Sequence, residues 1–249
     1  MHKFVQLMRR QKVLFRDMGR MDYQSAWDFQ EELLSRNVEA KSAKWRNVTD
    51  DNSINTFIDL QTTHHLLFVE HPPVYTLGKS GKIENVLISE EEREKNDLGF
   101  FRINRGGDIT FHGPGQIVAY PILDLEKFYT DIGKYMRNLE EVVIRTLMDY
   151  GIKGDRSPGE TGVWIDPGVK GKERKICAIG IRCSRWITMH GFAFNINTNL
   201  DYFNNIIPCG IQNKQVTSLQ KELSREINIE EAKEKVKKYF KEVFSVDLV

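Results

Sequence analysis

Cys209 stands between Pro208 and Gly210, a pair that puts a residue in a turn rather than in a helix or strand. A thiol on a turn can be presented to a cleft and serve as a nucleophile, and the competing reading is an ordinary turn residue. Cys177 lies in the apolar run Ile176-Cys177-Ala178-Ile179 and reads as a small core residue. Cys183, between Arg182 and Arg185, reads as a residue on or near the surface. Zinc is the other common employment of Cys and His, but no Cys-x-x-Cys or His-x-x-x-His spacing occurs, and no metal site is expected.

Arg105-Gly106-Gly107-Asp108-Ile109-Thr110-Phe111-His112-Gly113-Pro114-Gly115-Gln116 is the other segment with chemical potential. Glycine lets a ligand approach the backbone and lets successive N–H groups face a pocket; a pair of tight turns between strands is the alternative. No Lys-Ser or Lys-Thr follows, as a phosphate loop would need, and the pattern does not open a helix as Gly-x-Gly-x-x-Gly does. Nucleotide binding therefore has no motif behind it. His190, in Thr188-Met189-His190-Gly191, is a base for a Cys–His pair or, preferably, a residue that lines a pocket or fixes the loop around Gly191. His112 is read as part of a pocket wall, and His64, His65 and His71 have less to connect them with chemistry.

These residues need elements to hold them. Asp22 can cap a helix with Tyr23, Ala26, Trp27, Gln30, Leu33 and Leu34 on one face. The polar stretch from Ala40 to Asp59 reads as a loop or small surface insertion. Leu66–Glu70, Val74–Leu77 and Ile117–Ile122 read as strands, with Phe101–Asn104 leading into the Gly-rich segment. Thr130 or Asp131 starts a helix whose apolar face is Ile132, Met136, Leu139, Val143, Leu147 and Met148, and Gly151 suits its end. Pro158 to Arg174 is expected to be a charged, Gly-rich loop, its Pro167–Arg174 part a solvated turn. Three short strands follow, Ile176–Ile181, Trp186–Met189 and Phe192–Ile196. The last element expected is an amphipathic helix buried through Ile229, Val236, Tyr239, Phe240, Val243 and Phe244. Helices around many short strands, without regular alternation, predict an α/β fold of α+β type with a mixed sheet.

The chain has 249 residues, a length that suits one domain spanning 1–249. With 40% hydrophobic and 29% charged residues it matches a globular enzyme rather than a disordered chain. A formal net charge of +1 advertises neither nucleic acid nor an anionic membrane. Met1 to Arg10 lacks the apolar stretch of a secretory signal, and no run reaches membrane-spanning length, so a cytoplasmic protein with reduced thiols is expected.

Arg105-Gly106-Gly107-x-x-Thr110-x-His112-Gly113-Pro114-Gly115-Gln116, with Tyr120-Pro121 and Asp124-Leu125 behind it, closely resembles the signature of the lipoyl(octanoyl) transferases. Lys175-Ile176, Gly180-x-Arg182, Thr188-x-His190-Gly191, Asn195 and Pro208-Cys209-Gly210 look like the second half of the same signature in the same order. The likeness runs from about Asp22 to Leu219. It implies the catalytic domain shared with biotin and lipoate protein ligases. The implied reaction moves octanoyl or lipoyl from acyl carrier protein, through a cysteine thioester, to a lysine of lipoyl domains, as the first step of endogenous protein lipoylation. It places the nucleophile at Cys209 and its activating lysine at Lys175. Substrate contacts fall on Arg105, Gly106, Gly107, Asp108, Ile109, Thr110, Phe111 and His112, on Ala178, Ile179 and Gly180, and on Gly191, Phe192 and Ala193.

No cofactor is implied, because the acyl group arrives on the phosphopantetheine of acyl carrier protein. The implied acceptors are apo lipoyl domains of 2-oxoacid dehydrogenase complexes and glycine cleavage H protein, and a monomer is expected, with no nucleic acid or membrane partner. Two alternatives stand beside this reading: an ATP-dependent lipoate or octanoate ligase on the same fold, and a silent module that only holds acylated carrier protein. A thiol hydrolase fits the order and local sequence of Cys and His less well.

Overall fold

Leu66-Leu67-Phe68-Val69 is apolar on both faces of an extended chain, and the structure buries both faces. The computed structural model describes residues 10–49, 61–207 and 215–249. The first elements are β1 (Gln11–Arg20), α1 (Tyr23–Thr49), β2 (His64–Glu70) and β3 (Val74–Leu77). Then come α2 (Glu90–Lys95), β4 (Gly99–Arg102), β5 (Ile109–His112), β6 (Gln116–Ile122) and α3 (Ile132–Met148). The hairpins β7 (Gly154–Asp155), β8 (Val163–Ile165), β9 (Arg174–Ser184) and β10 (Ile187–Asn195) follow. Last are β11 (Gln215–Val216), α4 (Leu219–Leu223), α5 (Ile229–Phe244) and β12 (Val246–Leu248).

The main sheet runs β12-β1-β2-β6-β10-β9-β8-β7, with β11 added beside β9. It is mixed: β1 is parallel to β2 and β12, while β2, β6, β10, β9, β8 and β7 pair antiparallel in turn. A small second sheet, β4-β3-β5, stands beside it. Leu66, Phe68, Ile117 and Ala119 face a core shared with α3 and α5, whereas Leu67, Val69, Val118 and Tyr120 face α1. Helices thus cover both faces of the central strands, the mixed α/β arrangement expected. No helix among the described residues is long and apolar enough to cross a membrane.

Several local expectations change. Asp22 caps α1 as expected, taking the Ser25 N–H at 2.9 Å, but the helix continues through Ala40 to Thr49 where a loop was foreseen. Its later turns are held by charge instead of an apolar stripe: Lys41 Nζ lies 3.0 Å from Asp124, 2.9 Å from Glu126 and 2.8 Å from the Arg185 carbonyl. The rest of that expected loop, residues 50–59, lies outside the described residues. The loop expected over 158–174 contains β8, whose three residues are all buried; so short a strand between glycines shows no alternation. Trp186–Met189 and Phe192–Ile196 belong to one strand, since pairing with β9 continues through His190 and Gly191. Met148 is 65% exposed and does not share the buried face of α3.

Candidate active site

The Gly-rich segment lies flat on β9. Gly106 N–H donates to the Ile181 carbonyl at 2.9 Å, and a Cβ on Gly180 would stand 2.8 Å from Arg105 Cδ and 2.9 Å from the Gly106 carbonyl. Gly107 has φ +89°, a conformation that side chains resist. Glycine is needed on both sides of this contact for the loop to form a wall. Asp108 has a structural share in it, accepting the Ile109 N–H at 2.7 Å and the Asn85 amide at 2.7 Å.

The wall bounds a cavity of about 600 Å³, within the range of about 300–1,000 Å³ usual for small-molecule sites. Arg105, Gly106, Gly107, Asp108, Ile109, Thr110 and His112 line it, with Ala178, Ile179, Gly180, Gly191, Phe192, Ala193, His190 and Lys175. Phe111 is not among them: its ring is buried in the core of the small sheet, stacked on Tyr202 at 4.5 Å between centroids. As β5 alternates, Thr110 and His112 turn to the cavity and Phe111 turns away. Tyr23, Gln116, Val118, Tyr120, Met136 and Asn195 also contribute to the lining. In the sequence the first of these reads as a helix-packing residue, and Tyr120 and Asn195 stand out through the resemblance.

Buried polar groups are chained together at the enclosed end. Arg105 Nη2 donates to the Thr76 carbonyl at 2.8 Å and to Thr76 Oγ1 at 3.0 Å. The Thr76 hydroxyl then donates to His112 Nε2 at 3.3 Å, and His112 Nδ1–H to Gln116 Oε1 at 2.9 Å. Gln116 Nε2 donates to Asn195 Oδ1 at 2.8 Å, and Asn195 Nδ2 to the Thr217 carbonyl at 3.0 Å. Every direction is fixed, because an arginine can only donate at one end and a carbonyl only accept at the other. His71 Nδ1–H donates to the Met21 carbonyl at 2.9 Å, so its Nε2 accepts from the Tyr120 hydroxyl at 2.7 Å.

His190 is 2% exposed and has φ +57°. Its backbone N–H donates to Gln30 Oε1 at 2.9 Å. Asn104 donates its amide to Glu31 at 2.8 Å, leaving its oxygen to accept from His190 Nε2–H at 2.8 Å. Burial, aided by the charges of Arg105 and Arg182, pushes this imidazole down to about 3. Burial pushes His71 down to about 4 and holds His112 well below the usual histidine range. Of these three imidazoles, those of His112 and His190 line the cavity.

Lys175 is half-buried at the start of β9, and its Nζ sits 4.6 Å from the centroid of the Trp164 ring. Cys177 is fully buried and its thiol is pushed well up by burial, which fits the core role read from its strand. Cys183 is half-buried and its thiol is also pushed up by burial. Cys209 lies outside the described residues. On one side of its segment, Ile207 N–H donates to the Asn85 carbonyl at 2.8 Å; on the other, Gln215 and Val216 pair in parallel with Arg174 and Lys175. Phe203 and Val216 line the cavity, so both flanks are anchored beside it. Among the described residues, no three His, Cys, Asp or Glu side chains are grouped to hold a metal ion.

Residues 22–241 match the family model described as the lipoyl protein ligase A/B catalytic domain. An octanoyltransferase of Christiangramia forsetii is 56% identical over 238 residues, covering 95% of this chain and 97% of that one. An octanoyltransferase of Flavobacterium johnsoniae is 53% identical, covering 96% and 99%. Among solved structures, a bi-partite lipoate protein ligase from Thermoplasma acidophilum superposes with a TM-score of 0.65 at 17% identity, covering 96% of this chain and 86% of that one. A lipoate-protein ligase A bound with ATP gives 0.64 at 15% identity, covering 97% and 88%. At these identities the two structures speak for the shared fold.

Proposed function

The chain belongs to the lipoyl protein ligase A/B catalytic domain family, and we propose a course for the octanoyl transfer it performs in which Cys209 carries the acyl group and Lys175 carries the proton. The Cys209 thiolate attacks the carbonyl of an octanoyl thioester on acyl carrier protein. The carrier thiolate leaves and takes a proton from the Lys175 ammonium. The neutral amine of an acceptor lysine, on a lipoyl domain, then attacks the Cys209 thioester. Lys175 takes back a proton from that nitrogen, the amide forms, and the Cys209 thiolate is released. One thioester replaces another in the first step and an amide replaces a thioester in the second, so no ATP is consumed. A free thiol has a pKa of about 8.5, and an adjacent ammonium favours the thiolate that both steps require.

The observation that carries this reading is the single cavity shared by Lys175, the Arg105–Asp108 loop and the Gly180 and Gly191 segments, flanked on both sides by the anchors of the stretch that contains Cys209. Backbone N–H groups around the glycines would be donors for the tetrahedral oxyanion, an effect worth several kcal/mol, roughly 3–4, in acyl-transfer sites. The working unit in this proposal is a cytoplasmic monomer.

The test is incubation with octanoyl-acyl carrier protein without ATP, followed by intact mass. A hydroxylamine-labile octanoyl adduct on Cys209 is the expected result. Cys209→Ser should abolish transfer to a lipoyl domain, and Lys175→Ala should slow it by about 10²–10⁴-fold, the usual weight of a general acid–base group. Strict ATP dependence would replace this reading with the ligase alternative. Full function of Cys209→Ser would replace it with the silent binding module.

A further inference from the structure

Trp164 and Lys175 are direct cross-strand partners in the β8–β9 ladder, so their side chains rise from the same face of the sheet. Trp164 is 2% exposed and lies behind Lys175, outside the cavity lining, while Lys175 is part of that lining. The ammonium is 4.6 Å from the centroid of the ring, inside the distance of about 6 Å at which a cation is attracted to an aromatic face. Just before β8, ahead of the bulge between Val163 and Trp164, stands Gly162, with φ +115°. A Cβ there would be 2.5 Å from the Cys177 carbonyl, so glycine lets the two backbones close up, and it would stand 3.6 Å from Lys175 Cε, in ordinary contact with the stem that passes beside it.

Gly162 is itself held from behind. Its N–H donates at 3.1 Å to Glu140 Oε1, a fully buried carboxylate that also takes Arg156 Nε at 3.0 Å and Arg137 at 2.7 Å. The segment Gly162-Val163-Trp164 therefore offers backbone beside the stem and a ring for the charge, braced against α3. A lysine stem has many rotamers, and fixing it costs entropy that such a cradle offsets once, in folding, rather than at every turnover.

We infer that Trp164 is a positioning residue for the transfer reaction: its ring holds the Lys175 ammonium in place, ready to stabilise the nucleophilic thiolate and to protonate the leaving thiolate. The inference rests on the role given to Lys175 above. A ring that merely fills space would affect stability and leave the protonation behaviour of the site alone. A ring that holds the cation must alter the pH at which the thiolate forms.

The experiment measures the pH midpoint of Cys209 alkylation, read on the Cys209 peptide, together with kcat and KM for octanoyl-acyl carrier protein. The variants are Trp164→Phe, Trp164→Leu and Lys175→Ala, each checked for folding by thermal melting. Trp164→Leu is expected to raise the midpoint by about half a unit to one unit and to lower kcat about tenfold with KM nearly unchanged, with Trp164→Phe in between. Should the leucine variant fail to fold, the phenylalanine variant alone still has to show the shift. A midpoint moved by Lys175→Ala and unmoved by the folded Trp164 variants overturns the role of Trp164 and leaves that of Lys175 standing. A midpoint unmoved by Lys175→Ala overturns both.

Discussion

Acidification should destabilise this protein well before its carboxylates titrate. His71, His112 and His190 are buried and held neutral, His190 down to about 3 and His71 down to about 4. In the unfolded chain each returns to its ordinary value of 6.5. The folded values are depressed, so the unfolded state binds more protons, and stability falls as the pH drops through 6.5. Between pH 7.5 and 5.5 the proton-binding polynomial of a free histidine changes tenfold, while the buried ones stay deprotonated. That is about 1.4 kcal/mol per histidine, about 4 kcal/mol for these three, and His64 and His65, buried and pushed down to about 4 as well, bring the total to about 7 kcal/mol. Since whole domains are stable by only about 5–15 kcal/mol, the loss should be plain in urea unfolding curves at the two pH values. A His190→Asn variant should lose about 1.4 kcal/mol less than the parent over the same interval, because one of these groups no longer titrates. Carboxylates such as Glu141 and Glu222, lowered by their arginine partners, contribute below this window. Equal stability at pH 7.5 and 5.5, or a rise on acidification, would refute the assignment of these histidines as neutral in the folded protein.

Gly180→Ala should reshape the cavity wall, since its Cβ would meet the Gly106 carbonyl at 2.9 Å and that atom is backbone; a cost of about 1–3 kcal/mol in thermal unfolding and a raised KM for the acyl donor are expected. Glu140→Ala strips the acceptor from the buried Gly162 N–H and leaves Arg156 with Glu141 alone, so it should destabilise by about 1–3 kcal/mol in chemical denaturation. Glu140→Gln, which keeps an acceptor for Gly162, should recover part of that loss.

The parts of this molecule legible in its sequence are those where residue type is dictated by one local cause. Gly180 and Gly191 stand out because the backbone comes too close for a side chain, a Cβ on Gly191 lying 2.2 Å from the Ala119 carbonyl, and Gly107 because its φ is +89°. α3 and α5 announce themselves by caps and apolar stripes, Asp131 and Asn228 each accepting first-turn N–H groups. β1 gives no such signal, because Lys12, Arg16 and Asp17 interrupt its apolar residues and its order comes from parallel partners distant in sequence. The far half of α1 is hidden for a related reason: Lys41 is fixed by Asp124 and Glu126, and nothing local shows that pairing. Tyr23 looks like an ordinary packing residue until the fold turns it to the cavity. Lys175 was singled out by resemblance alone; its cradle of Gly162 and Trp164 was read as loop.

The neutral histidines also bear on which chemistry a cavity of this kind favours. A thioester on an enzyme has two fates, capture by an amine or hydrolysis, and hydrolysis needs a base able to take a proton from water. His190, pushed down to about 3, is too weak a base to do so near neutral pH, and its Nε2–H is already committed to Asn104. His112 donates through Nδ1 to Gln116 and accepts through Nε2 from Thr76, so both of its nitrogens are occupied. A lysine is different: its ammonium can hand a proton to a leaving thiol and recover one from an incoming amine. In the proposed course the buried imidazoles therefore take no part as bases, and both proton transfers fall to Lys175 at the start of β9.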